Sequence, residues 1–197
     1  ALYRPGADLM LAQAAADMNI PYIMSGSSNN SMEAAARVAP NNAWYQLYAA
    51  RDAGISEDLI RRAADCGMKR LVLTVDVPVH SKRERNMRNG FANIRGNWMR
   101  AALSLNPSLL AEAMTHPGWV VEYMRHGGTP ALENWLPYAG ANPTAEDTVK
   151  FNRSQVPAHA QTWKDLERYR RLFPRTLIVK GIMDPRDAIR AAEIGVD

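Results

Sequence analysis

LVLTVDVPVHSKRERNMR, residues 71–88, decides how the rest of the chain reads. Its first half, from Leu71 to Val77, is apolar and β-branched with little polar alternation. That pattern marks a strand covered on both faces, as in a parallel sheet. Pro78 cannot donate to a ladder, so the strand is expected to end about there, at 71–77. Thr74 and Asp76 are two residues apart and so share a face. A carboxylate at the C-terminal end of such a strand lies where α/β folds keep their chemistry. The competing reading is an aspartate that only caps the following turn.

Upstream, the same rhythm repeats. Asp8 to Met18 is rich in Ala and Leu and is expected to be helical, with Asp8 as its N-cap. Tyr22-Ile23-Met24 reads as a short buried strand closing at Ser25, followed by the polar loop SGSSNNS. Ser31 caps the next helix, which Pro40-Asn41-Asn42 breaks. Ala43 to Tyr48 is a strand with Trp44, Gln46 and Tyr48 on one face. Asp52 to Cys66 is helical, and Gly67 suits its C-cap. Strand and helix alternating in this way predict βαβ units and a parallel sheet.

Downstream the period breaks. The next strand signal is Thr176 to Val179, preceded by an amphipathic helix from the N-cap Thr162 to Phe173. A connection of roughly one hundred residues is no ordinary βα loop and calls for structure of its own. Short helices are expected at 101–103 and 107–114, and a helical turn at 146–152. Turns are expected at 115–117 and 127–130, and a loop at 137–143.

Four stretches in order carry a family resemblance: MSGSSNNSMEA (24–34), WYQLY (44–48), LTVDVP with RERNMRNGF, and TWKDLERYRRLFPRTLIVKGIMDPRDA (162–188). Together they resemble the FMN-dependent 2-hydroxy acid dehydrogenase/oxidase family, which includes flavin L-lactate dehydrogenase, mandelate dehydrogenase and glycolate oxidase. The resemblance implies an α/β fold: a partial TIM (β/α)8 barrel, about strands two to five, with a long insert after strand four. The expected organisation is a single incomplete barrel domain, 1–197, containing the insert 91–161. A complete barrel takes about 250 residues, more than the 197 present. The chain is therefore expected to be an internal fragment, lacking the family's first strand, its catalytic histidine with the arginine that follows it, and the phosphate-binding strands.

The resemblance also implies roles. Ser25, Gln46, Thr74 and Lys180 are expected to bind FMN, with Lys180 a fixed cation by the pyrimidine edge. Tyr48 and Arg83 are expected to hold the substrate, the guanidinium matching a carboxylate bidentately. Asp76, with Tyr48 and Lys180, forms the catalytic set, its carboxylate orienting the histidine base. His80, His116, His126 and His159 lie outside a strand-end context, and none is assigned as that base; no metal ligand is assigned. The implied reaction oxidises an L-2-hydroxy acid, lactate- or mandelate-like, to the 2-oxo acid, by hydride or carbanion chemistry, both remaining open. The fragment alone is expected to be inactive. The other readings are another FMN- or phosphate-binding barrel and a non-catalytic half-barrel assembly module.

Composition agrees with a globular domain and narrows the partners. The chain is 47% apolar and 22% charged, with a net charge of +4. That charge fits a small anionic substrate and gives no nucleic-acid signature. One cysteine, Cys66, excludes an internal disulfide and suits the cytoplasm. The insert mixes Trp98, Met99, Leu103, Leu105, Leu109, Leu110, Trp119 and Val120 with Arg95 and Arg100. Three roles stay open for it: peripheral contact with the inner face of the cell membrane, packing on the barrel or a neighbouring subunit, and an active-site lid. A homo-oligomer, a tetramer by resemblance, is expected.

Overall fold

A computed structural model describes residues 4–79, 84–88, 111, 113–126, 128, 130–156 and 160–197. Among the described residues, four strands form one sheet: β1 (Tyr22–Ser25), β2 (Ala43–Tyr48), β3 (Arg70–Thr74) and β4 (Thr176–Lys180). All three pairings are parallel, and the spatial order follows the chain order. Helix α1 (Ala7–Asp17) precedes β1, and α2 (Met32–Val38) and α3 (Ala53–Asp65) separate the first three strands. The connection to β4 holds α4 (Glu84–Arg88), α5 (Pro117–Arg125), a 3-10 helix (Glu133–Tyr138), α6 (Ala145–Gln155) and α7 (Trp163–Leu172); α8 (Pro185–Glu193) follows the sheet.

The period of two along each strand divides the sheet into two faces. Met24, Tyr45, Leu47, Leu71, Leu73 and Leu177 occupy one of them and pack in a single core with Ala12, Met32, Leu59, Ile60, Leu166, Tyr169 and Ala191 from the helices. The expected parallel α/β sheet is therefore present. The opposite face carries Ser25, Gln46, Tyr48, Thr74 and Lys180, which the strand register aligns across neighbouring strands.

Several local expectations need correction. Asp8 does not cap α1; Gly6 does, with φ of 73°. Asp8 lies in the first turn, and its carboxylate accepts from the Tyr22 hydroxyl, the Ser28 hydroxyl and the Asn29 amide. β3 ends at Thr74 rather than near Pro78, although the Val75 amide still donates to the Lys180 carbonyl at 3.0 Å. Pro117, expected in a turn, opens α5 in the first turn of the helix, where its missing N–H costs nothing. Residues 113–115 are helical, against the turn expected over 115–117. The helical turn at 146–152 is an eleven-residue helix, closed at its start by a Thr144–Asp147 capping box. Pro137 and Tyr138, expected in a loop, lie in the 3-10 helix, whose Trp135 is completely enclosed. The short helix expected at 101–103 falls outside the described residues, as does most of the one at 107–114.

Candidate active site

The C-terminal ends of parallel strands collect side chains from separate segments, because every strand points the same way. Here that end brings together Ser25 from β1, Gln46 and Tyr48 from β2, Thr74 from β3 and Lys180 from β4. Ser25 is paired in register with Gln46, Tyr48 with Thr74, and Thr74 with Lys180. Five of the seven residues expected to form the site thus lie on one face at one end of the sheet.

Gln46 and Thr74 are buried, 8% and 5% exposed, and the Gln46 Nε2 donates to Thr74 Oγ1 at 2.7 Å. That bond fixes the amide and leaves its Oε1 as an acceptor. The threonine hydroxyl, having accepted once, keeps its own O–H to donate. Ser25 is exposed; its Oγ accepts from the Ser27 amide at 3.2 Å and likewise retains its proton. Tyr48 is half-buried on the same row. Along this row run hydroxyl donors, an amide acceptor and an ammonium. Such a set complements a flat heterocycle edged with alternating carbonyl and N–H groups, so the residues present fit the pyrimidine edge of a flavin.

Asp76 lies two residues past the end of β3 and is not the buried carboxylate the sequence suggested. Its side chain is 39% exposed, and its Oδ2 accepts from Lys180 Nζ at 2.8 Å. The bond from Lys180 holds the Asp76 carboxyl below the usual carboxylate range. The chain bends at Asp76, and Gly181 lies against that bend. Gly181 has φ of 108°, and a Cβ placed there would be 2.5 Å from Asp76 Cβ and 2.8 Å from Cγ. Only glycine adopts this backbone at low cost while allowing so close an approach.

Gly181→Ala is accordingly expected to lower stability by about 1–3 kcal/mol through overpacking and backbone strain. It should also push Asp76 away from Lys180. Because the Asp76 pKa is depressed in the fold, its contribution is complete above the unfolded carboxyl pKa and vanishes as pH falls through the folded value. The pair is exposed, so that contribution is small; denaturant melts at neutral pH should show the loss of stability, and an NMR titration should show the Asp76 carboxyl of the variant closer to the usual carboxylate range.

Arg83, His80 and His159 lie outside the described residues, as does the insert from 91 to 110. His126 is the C-cap of α5 and His116 its N-cap, so neither stands at a strand end. In α5, Tyr123 is buried and stacks on Trp119 at 5.0 Å, while Val121 and Met124 are exposed. Among the described residues, no helix is long and apolar enough to cross a membrane.

Sequence reasoning missed the residues that hold the β1–α2 loop beside Ser25. The Ser31 amide donates to Glu133 Oε2 at 2.7 Å and the Met32 amide to Asn134 Oδ1 at 2.9 Å. The Trp135 indole Nε1 donates to the Gly26 carbonyl at 2.9 Å. Arg62 anchors this segment to α3, donating to the Asn134 carbonyl, to Tyr138 Oη and to Glu33. Burial opposes the Arg62 charge, but the bonds to Tyr138 and Glu33 outweigh it and raise its pKa. Burial and the bond it donates to Asp58 push the Tyr138 hydroxyl up to about 12. A Trp between Asn and Leu after a Glu was the available signal, but nothing local says what it docks on.

Comparison with known proteins gives one consistent picture. The family model for FMN-dependent dehydrogenase matches residues 1–197. The chain is 34% identical over 196 residues to an L-lactate dehydrogenase of Caulobacter sp. (strain K31), covering 100% of this chain and 49% of that protein. It is 32% identical over 193 residues to the (S)-mandelate dehydrogenase of Pseudomonas putida, covering 98% of this chain and 46% of that protein. A crystal structure of the monotopic membrane protein (S)-mandelate dehydrogenase superposes with a TM-score of 0.83 at 31% identity, covering 100% of this chain and 49% of that one. The chain spans about half the length of the curated relatives it matches.

Proposed function

The chain belongs to the FMN-dependent dehydrogenase family, and from that premise we propose that it forms the flavin- and substrate-facing part of an enzyme oxidising an L-2-hydroxy acid to the 2-oxo acid. The fold is part of a TIM barrel, and the family is FMN-dependent. One observation carries the proposal: Ser25, Gln46, Tyr48, Thr74 and Lys180 meet on one face at the C-terminal strand ends, with the Gln46 amide locked by Thr74.

The chemistry that bound FMN supplies is acceptance of an electron pair from the substrate's hydroxyl-bearing carbon. Ser25, Gln46 and Thr74 orient its pyrimidine edge through directed hydrogen bonds. Lys180 would hold a fixed positive charge beside that edge, which favours its electron-rich form, and Asp76 orients the Lys180 ammonium. Tyr48 donates its hydroxyl to the substrate, and Arg83 pairs with the substrate carboxylate. Asp76 then serves a histidine base by stabilising its protonated form. None of His80, His116, His126 and His159 takes that role, so the 197-residue chain alone is inactive.

The domain is a single incomplete barrel, with 91–161 an insert between β3 and β4, after what would be strand four of a complete barrel. A lactate- or mandelate-like substrate fits the names of the relatives. Peripheral contact of the insert with the inner face of the cell membrane agrees with the monotopic mandelate dehydrogenase. A homotetramer completes the proposal.

The test is anaerobic bleaching of the flavin. A longer protein carrying this chain should lose its visible flavin absorbance with L-lactate or (S)-mandelate and keep it with the opposite enantiomers. The isolated chain should show no FMN-dependent turnover. No bleaching by any L-2-hydroxy acid in the longer protein overturns the activity, and a colourless oligomer would favour an assembly module. Turnover by the isolated chain overturns the assignment of the base.

A further inference from the structure

Flavin-facing residues at strand ends are only as well placed as the loops that leave those strands. The loop after β1 is short of intrinsic order: SGSSNNS has no apolar side chain to bury. Its shape is imposed by two anchors distant in sequence. On one side Asp8 accepts from Ser28 and from the Asn29 amide. On the other, the segment from Pro130 to Trp135 forms a row of bonds along the loop. Asn29 Nδ2 donates to the carbonyls of Pro130 and Ala131 at 3.3 and 3.1 Å. Glu133 takes the Ser31 amide, Asn134 takes the Met32 amide, and Trp135 donates to the Gly26 carbonyl. Gly26 is the residue immediately after Ser25. A Cβ on it would lie 2.9 Å from the Gln46 carbonyl, so the loop is pressed against the strand that carries Gln46 and Tyr48.

We propose that Trp135 and Glu133, from the connection between β3 and β4, are positioning residues for the flavin site: strand pairing sets Ser25 level with Gln46, and these two residues hold the β1–α2 loop that leaves Ser25 in one shape against β2. The proposal rests on the functional reading above. Trp135 contacts no substrate or cofactor and acts through Gly26. Its ring is 1% exposed, with Tyr138 and Phe151 at centroid distances of 6.3 and 6.4 Å, so the indole has one fixed orientation from which to donate. Glu133 is half-buried and removes one of the free N–H groups at the start of α2. The long connection therefore takes part in shaping the flavin site as well as covering the sheet.

The test compares Trp135→Phe, Glu133→Ala and Glu133→Gln in the longer, flavin-binding protein. Phenylalanine keeps most of the ring and deletes the donor. Glutamine keeps the acceptor that alanine lacks. FMN affinity is read by fluorescence titration, loop order by amide hydrogen exchange over residues 26–32, and global stability by thermal melting. Trp135→Phe and Glu133→Ala should each weaken FMN binding about five- to tenfold, the effect of one lost buried hydrogen bond. They should also speed exchange in the loop, and Glu133→Gln should restore both. Affinity that stays within about twofold in both deletion variants, whether or not the melt shifts, overturns the proposal and leaves these residues structural. So does unchanged loop exchange. A parent protein that does not bind FMN overturns the functional reading as well, and is recognised by the absence of any titration before mutation.

Discussion

Lys180→Met is expected to slow flavin reduction by the 2-hydroxy acid roughly 10²–10³-fold, the cost typical of deleting a preorganised group that faces developing charge. Lys180 is the last residue of β4, held by strand pairing on β3 and by its bond to Asp76. Methionine keeps an unbranched stem and removes the charge together with the bond to Asp76. The Lys180 side chain is 53% exposed and its partner 39%, so the ion pair itself adds little stability and the fold should survive. Stopped-flow reduction at saturating substrate measures the effect. A potentiometric titration should show the flavin harder to reduce, because the reduced form loses its neighbouring cation. A loss below about threefold, with an unchanged potential, contradicts the role given to Lys180.

Trp135→Ala is expected to destabilise the protein by about 3–5 kcal/mol, the range for removing a large enclosed aromatic ring. The ring is enclosed between the β1–α2 loop and α6, and the indole N–H satisfies a backbone carbonyl. Alanine leaves both a cavity and an unpaired Gly26 oxygen, two penalties that add. Urea melts followed by far-ultraviolet circular dichroism should show a lower midpoint with the slope preserved. A change under about 1 kcal/mol would mean that the 130–138 segment is not packed on the loop as described. Comparison with Trp135→Phe helps to divide the two penalties, since phenylalanine forfeits the hydrogen bond but leaves a much smaller cavity than alanine.

The shared face of the site was legible before any coordinates. Gln46 and Tyr48 are two apart on a strand, and strands with a βα rhythm run parallel, so residues at their ends must assemble at one edge. The resemblance then attached roles to them. What the pattern misjudged was the fate of Asp76. A strand signal reads on through Val77, but pairing needs a partner, and β4 ends at Lys180, opposite Thr74. Beyond that point the bend over Gly181 and the ion pair decide where the carboxylate goes. Asp8 shows the same limit: a helix-start aspartate looks like a cap, yet hydroxyls from β1 and its loop claim it.

By itself the sequence determined the order of the four strands and of the helices between and before the first three, the caps at Ser31 and Thr162, and which strand residues share a face. Those features depend on periodicity and on side chains a few residues away, and such interactions leave a local signature. The tertiary structure alone decided that Glu133, Asn134 and Trp135 dock on the β1–α2 loop, and that Asp76 pairs with Lys180. These contacts join residues about a hundred positions apart through single directed hydrogen bonds. Such bonds have no period and no required neighbour in the chain, so they become visible only once packing has brought the two segments together.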